Sequence, residues 1–299
     1  MVDDKEWGAG FSRPRLLVLG CGDVGMRLLP LLTRRFRVFA LTSRRQRCAE
    51  LRAAGAIPIV ADLDCPLTLA RLGRLANRIV HLAPPQSAGA IDRRTRNLCA
   101  ILPERSHLVY ISTSGVYGDC GGACFDETRP LHPESARAQR RVDAERVLRA
   151  WARRRNASLA ILRVPGIYAG ERLPLERLRR QVPVLARADD VYSNHIHADD
   201  LARLIVLALV RGRPNRVYHA VDDSDMRMGE YFDLVAAAHG LPAPPRLPRE
   251  QLRQALSPLQ YSFMRESRRL SNRRMKDELG MRLRYPSVAD GLERFRFNY

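Results

Sequence analysis

Short apolar runs of strand length alternate with helical patterns from Arg15 onward, and this alternation constrains the fold more than any other feature of the chain. RLLVLG, FRVFALT, AIPIVADL, RIVHLA, HLVYIST and LAILRV predict strands. Between them, GMRLLPLLTRR, AELRAAG closed by Gly55, PLTLARLGRLA opened by Pro66, IDRRTRNLCAIL and the segment around ESARAQRRVDAER predict helices, with Pro30 awkwardly inside the first. Strands joined by helical crossovers run parallel, and the crossovers are right-handed. Strands this apolar on both faces belong in a sheet covered on both sides, so the pattern predicts a doubly wound α/β fold. The rhythm breaks after Tyr168. ADDLARLIVLALVRG is a further helix, with Asp199 and Asp200 at its positive end and Gly212 near its close, and NRVYHAV is a seventh strand. Proline-rich LPAPPRLPRE (Leu241 to Glu250) suits a linker or lobe segment, and SNRRMKDELG a final capped helix.

VLGCGDVG sits between the first strand and the first helix. It places Gly20, Gly22 and Gly25 as G-x-G-x-x-G in the context that makes this pattern a dinucleotide fingerprint. Gly20 makes the tight turn, Gly22 admits the pyrophosphate to the backbone, and Gly25 allows close helix–strand packing. Cys21, Asp23 and Val24 complete the loop at a helix N-terminus that attracts the phosphates. The end of the second strand selects the cofactor. An NAD site usually carries an acidic side chain there, whereas here Thr42, Ser43 and Arg44 follow one another. Two hydroxyls and a guanidinium suit a 2′-phosphate, so NADP(H) is expected in preference to NAD(H), which stays possible. The expected architecture is a Rossmann-type, about seven-stranded parallel sheet over residues 13–170, completed by about 193–222. A small C-terminal substrate lobe is expected from 171–192 and 223–299.

The order of these elements resembles the extended short-chain dehydrogenase/reductase superfamily, and specifically its NAD-dependent epimerase/dehydratase branch. The resemblance covers nearly the whole chain. ADL, with Asp62 and Leu63, resembles the acidic segment beside the adenine, and VHLAPP, with Leu82, Ala83 and Pro84, the loop lying along the cofactor. ISTSGVYGD, with Ser112, resembles the motif that carries the catalytic Ser or Thr, which four residues before Tyr117 falls on Thr113. LRVPGIYAG, with Val164 and Pro165, resembles the segment that passes the nicotinamide, and NHIHADDLARLIVLAL and RRLSNRRMKDELGMRLRYPSVADGL (Arg268 to Leu292) resemble later segments. One departure is that extended members usually carry G-x-x-G-x-x-G, which would need a glycine at Leu19. The form found here is closer to atypical members.

A second departure concerns the chemistry. The resemblance implies Tyr-x-x-x-Lys on the helix after the fifth strand, with the lysine four residues before a glutamate. Counting back from Glu145, the lysine position is Arg141 and the tyrosine position Arg137, and no tyrosine in the chain has a lysine four residues on. Arginine stays protonated in proteins, so Arg137 cannot shuttle a proton, though Arg141 could still hold the nicotinamide ribose. Tyr117 and Tyr168, in motifs that border the cofactor, are the candidate replacements. His195, His197, Cys120 and Cys124 are weaker ones, with one of the two histidines expected to be a structural hydrogen-bonder. Arg172, Arg177, Arg179 and Arg180 would suit an anionic substrate or a solvated helix face. Two functions follow. One is an NADP-dependent oxidoreductase or epimerase/dehydratase with a non-standard proton-transfer residue, acting on a small carbonyl or sugar substrate, anionic ones included. The other is a non-catalytic NADP(H)-binding sensor.

Composition narrows the partners. The chain carries a net charge of +19, which invites a nucleic-acid reading. Lys5 and Lys276 are its only lysines, however, and the arginines spread over nearly every helix instead of forming a stripe. Compositional bias explains that pattern, so no specific nucleic-acid partner is expected. The six cysteines are scattered, and CGGAC lacks the ligand spacing of a zinc site, so reduced thiols and no metal are expected. The first residues, MVDDKEWGAGFSRPR, have no apolar stretch of signal-peptide length, and no run approaches the ~20 apolar residues of a membrane span. A cytoplasmic protein without membrane contact is expected, as a monomer or homodimer.

Overall fold

A computed structural model describes residues 13–296. The N-terminal stretch read above lies largely outside the described residues. Seven strands form one sheet: β1 (Arg15–Leu19), β2 (Arg37–Thr42), β3 (Ile57–Val60), β4 (Arg78–His81), β5 (His107–Thr113), β6 (Ser158–Val164) and β7 (Arg216–His219). Their order is β3-β2-β1-β4-β5-β6-β7 and every pairing is parallel. The alternation of side chains explains why these strands look apolar throughout. In β1, Leu16 and Val18 enter the core on one face of the sheet, while Leu17 and Leu19 enter the core on the other. Pro58 lies in β3, at the edge, where its missing N–H leaves no ladder bond unmade.

Helices cover both faces. α1 (Asp23–Leu32) and α5 (Ala198–Arg211) cover one, and α3 (Arg93–Ile101) and α4 (Ala136–Arg154) the other, while α2 (Cys48–Ala53) precedes β3. Ser135 caps α4 by accepting from the Ala138 N–H, and Asp92 caps α3 by accepting from the Thr95 N–H. Pro30 falls in the last turn of α1 on an exposed face, so the helix tolerates it. Gly55 stands past the end of α2 with φ +80°, the conformation expected of it. The predicted helix after Pro66 is instead two short 3₁₀ turns, Pro66–Leu69 and Leu72–Arg74. Gly73 explains the break, since its Cα lies so near the Ile101 carbonyl that a side chain has no room.

Beyond Tyr168 a smaller apolar core gathers Leu178, Val184, Leu185, Tyr231, Phe232, Val235, Leu252 and Met264. It is built on α6 (Met228–Ala238), α7 (Arg249–Ala255) and α8 (Pro258–Met264). The proline-rich segment belongs to this lobe, pairing Arg246–Leu247 with Val184–Leu185. The chain then returns to the sheet. Met275 and Leu279 of α9 (Arg273–Leu279) join the core beneath α5, so this stretch packs with the larger unit and not with the lobe. α9 ends at Gly280 in the left-handed conformation, but it is not the final helix: α10 (Val288–Arg296) follows and returns Val288 and Leu292 to the lobe core. Among the described residues, no helix is long and apolar enough to cross a membrane.

Candidate functional site

The sheet order reverses at β1 and β4, and a doubly wound sheet opens a crevice there, outside the carboxyl ends of its strands. Two cavities occupy that edge. The first joins the glycine loop to the ends of β2, β3 and β4. Gly20, Cys21, Gly22, Thr42, Ser43, Arg44, Asp62, Leu63, Ala83 and Pro84 line it together. Ten residues chosen on sequence alone thus share one wall.

The glycines divide the work physically. Gly20 has φ +90°, and a Cβ there would lie 2.6 Å from the Ala83 nitrogen. Gly25 faces the Gly20 carbonyl, with 3.1 Å for a Cβ, and Leu82. Gly22 is different: a Cβ there would meet nothing within 4 Å. It is also the N-cap of α1 without a side-chain cap, which leaves the N–H groups of Asp23, Val24 and Gly25 without a capping acceptor. The Asp23 carboxylate beside this cradle is matched by Arg27 at 3.1 Å and Arg172 at 3.0 Å. It therefore opposes an incoming anion less than its sequence position suggests.

The second strand's end is more structured than its sequence indicates. The Thr42 hydroxyl accepts from the Arg44 N–H at 3.2 Å, closing a turn that leaves Ser43 and Arg44 exposed. Arg44 makes no ion pair among the described residues. Two further arginines line the same cavity, and sequence reading had not singled them out. Arg47 is held by Glu50 and donates to the Cys21 carbonyl, and Arg94 is held by Asp64 at 2.5 Å. Arg47 was signalled only by lying in TSRRQR, and Arg94 by nothing in its neighbourhood.

The second cavity lies between the ends of β5 and β6 and the lobe. Thr113 and Pro165 line it, and with them Arg137, Tyr168, Tyr192, His195, Tyr231, Phe263, Glu266 and Arg268. Thr113 accepts from the Gly115 N–H at 3.3 Å, which leaves its own hydroxyl proton to donate. Ser112 does not reach this space. It is buried and donates to Glu145 at 2.6 Å, and Val164 is buried beside it.

The proton-transfer candidates separate clearly. The Tyr117 hydroxyl is buried, 2.6 Å from His219 Nε2 and 2.5 Å from Arg163 Nη1, and lines neither cavity. Burial pushes its phenol up to about 12. Tyr168 borders the second cavity, but its hydroxyl donates to the Ser287 carbonyl at 3.0 Å. Both tyrosine hydroxyls thus have partners within the chain, and of the two only Tyr168 borders a cavity. Arg141 is committed within the fold. Its Nη1 donates to the Ile111 carbonyl at 2.8 Å and to Tyr110 at 3.0 Å, and it lines neither cavity, so it steadies β5.

Of the two histidines, His197 caps α5 by accepting from the Asp199 N–H, the structural role expected of one of them. His195 faces the cavity, stacked 4.3 Å from Tyr231, and its Nδ1 has no hydrogen-bond partner. Burial lowers its pKa to about 4. Arg172 and Arg177 are turned to Asp23 and the Pro183 carbonyl, and Arg179 and Arg180 are exposed, so none of the four enters the cavity. Cys120 is half-buried with its thiol raised chiefly by burial, and no group of His, Cys, Asp and Glu able to hold a metal occurs among the described residues.

This geometry can be set beside known proteins. The dTDP-glucose 4,6-dehydratase of Streptomyces niveus is 28% identical over 120 residues, which is 37% of this chain and only 35% of that protein. A functionally unknown conserved protein from Silicibacter pomeroyi has the same fold, with 29% identity, a TM-score of 0.76, and 95% of this chain and 98% of that one covered. The dTDP-glucose 4,6-dehydratase from Streptomyces venezuelae with NAD and TYD bound shares the fold at 24% identity and a TM-score of 0.76 over 95% and 97% of the chains. The UDP-glucose 4-epimerase of Thermotoga maritima with UDP-glucose does so at 20% identity and a TM-score of 0.75 over 94% and 98%. The NAD dependent epimerase/dehydratase family matches this chain over residues 16–220, from β1 through β7, and the chain belongs to that family.

Proposed function

We propose that the chain binds a nicotinamide dinucleotide, NADP(H) in preference to NAD(H), along the first cavity, and oxidises a small hydroxyl-bearing substrate in the second. The observation that carries this reading is the open cradle at Gly22, where an uncapped helix N-terminus faces space that no protein atom fills. The residues present suit the group. The first turn of α1 would hold the pyrophosphate, Asp62 and Leu63 would border the adenine, and Ser43, Arg44 and Arg47 would meet a 2′-phosphate. When bound, the dinucleotide supplies a hydride acceptor or donor. The nucleotide sugars and NAD named with the solved relatives support a sugar-like substrate and this cofactor class.

The protein's own part is the proton, and we assign it to His195. Oxidation of a hydroxyl releases a hydride from carbon and a proton from oxygen. The uncharged imidazole of His195 accepts that proton, while the Thr113 hydroxyl donates a hydrogen bond to the same oxygen. Burial keeps the imidazole neutral at pH 7 and so able to accept a proton, though its lowered pKa makes it a weaker base than a free imidazole. The test is a panel of hydroxy acids and sugars with NADP, followed by the absorbance of NADPH. His195→Asn should reduce turnover by ~10²–10⁴ with dinucleotide affinity unchanged.

A non-catalytic NADP(H)-binding sensor is the second reading, favoured by the commitment of the Tyr117 and Tyr168 hydroxyls to other partners. Tight dinucleotide binding with no hydride transfer to any member of the panel would select it.

A further inference from the structure

Arg137 lies in the first turn of α4 and lines the second cavity. Its guanidinium lies 4.1 Å from the centre of the Phe263 ring. Among the described residues it makes neither a hydrogen bond nor an ion pair. The three other arginines nearby each have an acceptor, Arg140 in the Gly89 carbonyl at 2.6 Å. Arg268 donates to Glu266 and to the Gly118 carbonyl, both at 2.6 Å, and Arg141 donates to the Ile111 carbonyl. Arg137 is half-buried, and burial draws its pKa down, with Glu266 opposing the shift and Arg268, Arg140 and Arg141 adding to it. Its donors face the cavity without a protein acceptor, so an acceptor that enters finds them open.

The charge of the cavity narrows what that acceptor is. Its lining carries Arg137 and Arg268 against Glu266, with His195 neutral, and so a single net positive charge. One charge matches one carboxylate. A phosphate dianion would bring a second negative charge toward Glu266. The planar fork of a guanidinium also matches the two oxygens of a carboxylate, and the Phe263 ring lies against it on one side.

We propose that Arg137 is the receptor for a single carboxylate on the substrate, so that the cavity takes a small acid, a hydroxy acid or sugar acid, held by its carboxylate. This rests on the reading of the second cavity as the substrate site, but not on turnover. Position 137 then serves recognition instead of proton transfer.

The test is direct binding to the full chain, with and without NADP, by calorimetry and ligand-observed NMR. The probes are D-glucuronate, glycolate and acetate, with D-glucose and glycolamide as neutral counterparts and glucose 6-phosphate as the dianion. Saturable binding of the carboxylates, at least tenfold tighter than the neutral partners, is expected for the native chain. In Arg137→Met that preference should vanish, and in Arg137→Lys it should survive in part. The melting temperature of Arg137→Met should equal or exceed that of the native chain, because an unpaired charge leaves the cavity. NADPH affinity, measured separately, should be the same in all three. Equal carboxylate binding by the native and Met chains, tighter binding of glucose 6-phosphate than of glucuronate, or no saturable carboxylate binding at all would each overturn the proposal. Carboxylate binding without any hydride transfer would uphold it while removing the catalytic reading.

Discussion

Arg163 and Glu145 meet in the interior at 2.7 Å with side chains only 4% and 2% exposed. The pair is doubly bonded, from Nε and Nη2 of Arg163 to the two carboxylate oxygens. Glu145 also accepts from Ser112, and Arg163 reaches the Tyr117 hydroxyl, which in turn meets His219. This chain of contacts ties β5, β6, β7 and α4 together behind Thr113. Removing one charge leaves the other buried and unmatched, so Glu145→Ala should cost roughly 3–5 kcal/mol. Replacing both residues with apolar ones of similar volume should cost much less. Urea unfolding of the two variants measures the difference.

The glycine loop offers a sharper contrast. Gly20→Ala must both occupy φ +90° and displace the Ala83 backbone, so it should lose stability and dinucleotide affinity together. Gly22→Ala meets no protein atom and has an ordinary backbone conformation, with φ −72°. Its stability should stay within about 1 kcal/mol of native, the scale of a Gly-to-Ala exchange at a permissive site. Its affinity for NADPH should nonetheless fall, because the new methyl enters the cradle. Thermal melts and NADPH titration of the two variants separate fold from ligand.

Cofactor choice should reside in the exposed turn after β2. Arg44→Ala should weaken NADPH by roughly tenfold or more, the worth of a hydrogen bond to a charged group, and leave NADH nearly unchanged. Equal losses for the two nucleotides would assign Arg44 a role in the fold of the turn.

Acid should destabilise the protein through its buried histidines. His81 and His219 are held near 3 and His195 near 4, each chiefly by burial. Their folded pKa values lie below the unfolded one, so below about pH 6.5 the unfolded chain takes up protons first. Stability from these groups is full above that pH and falls as pH drops toward 4. Asp222 works in the opposite direction, since burial raises its carboxyl to about 7. Between about pH 4 and 7 the folded state holds that proton and the unfolded state does not, so its contribution is lost as pH rises through 7. Asp222→Asn should therefore steepen the acid side of a stability–pH curve and raise its neutral side, as read by melts across pH 4 to 8.

What was legible in the sequence follows from what each signal encodes. Apolar alternation reports burial on two faces, so all seven strands of the sheet were readable, Pro58 included because edge strands tolerate it. The glycine loop was readable because backbone geometry leaves only glycine at Gly20. Side-chain commitments were not readable. Tyr117 and Tyr168 lie in the expected motifs, but their hydroxyls turn to Arg163, His219 and Ser287, partners 46 to 119 residues away. Arg94 reaches the first cavity from a helix surface and Arg268 the second from the C-terminal segment, with no local pattern to mark either. The helix after Pro66 failed because a tertiary contact, Gly73 against Ile101, overrides a local helical pattern.

The central claim is that the glycine loop holds a phosphorylated nicotinamide dinucleotide. The most direct measurement is a fluorescence titration of the full chain with NADPH and, separately, NADH. The account predicts saturation by NADPH at micromolar concentration, with NADH much weaker. Failure of both to bind at millimolar concentration would contradict it.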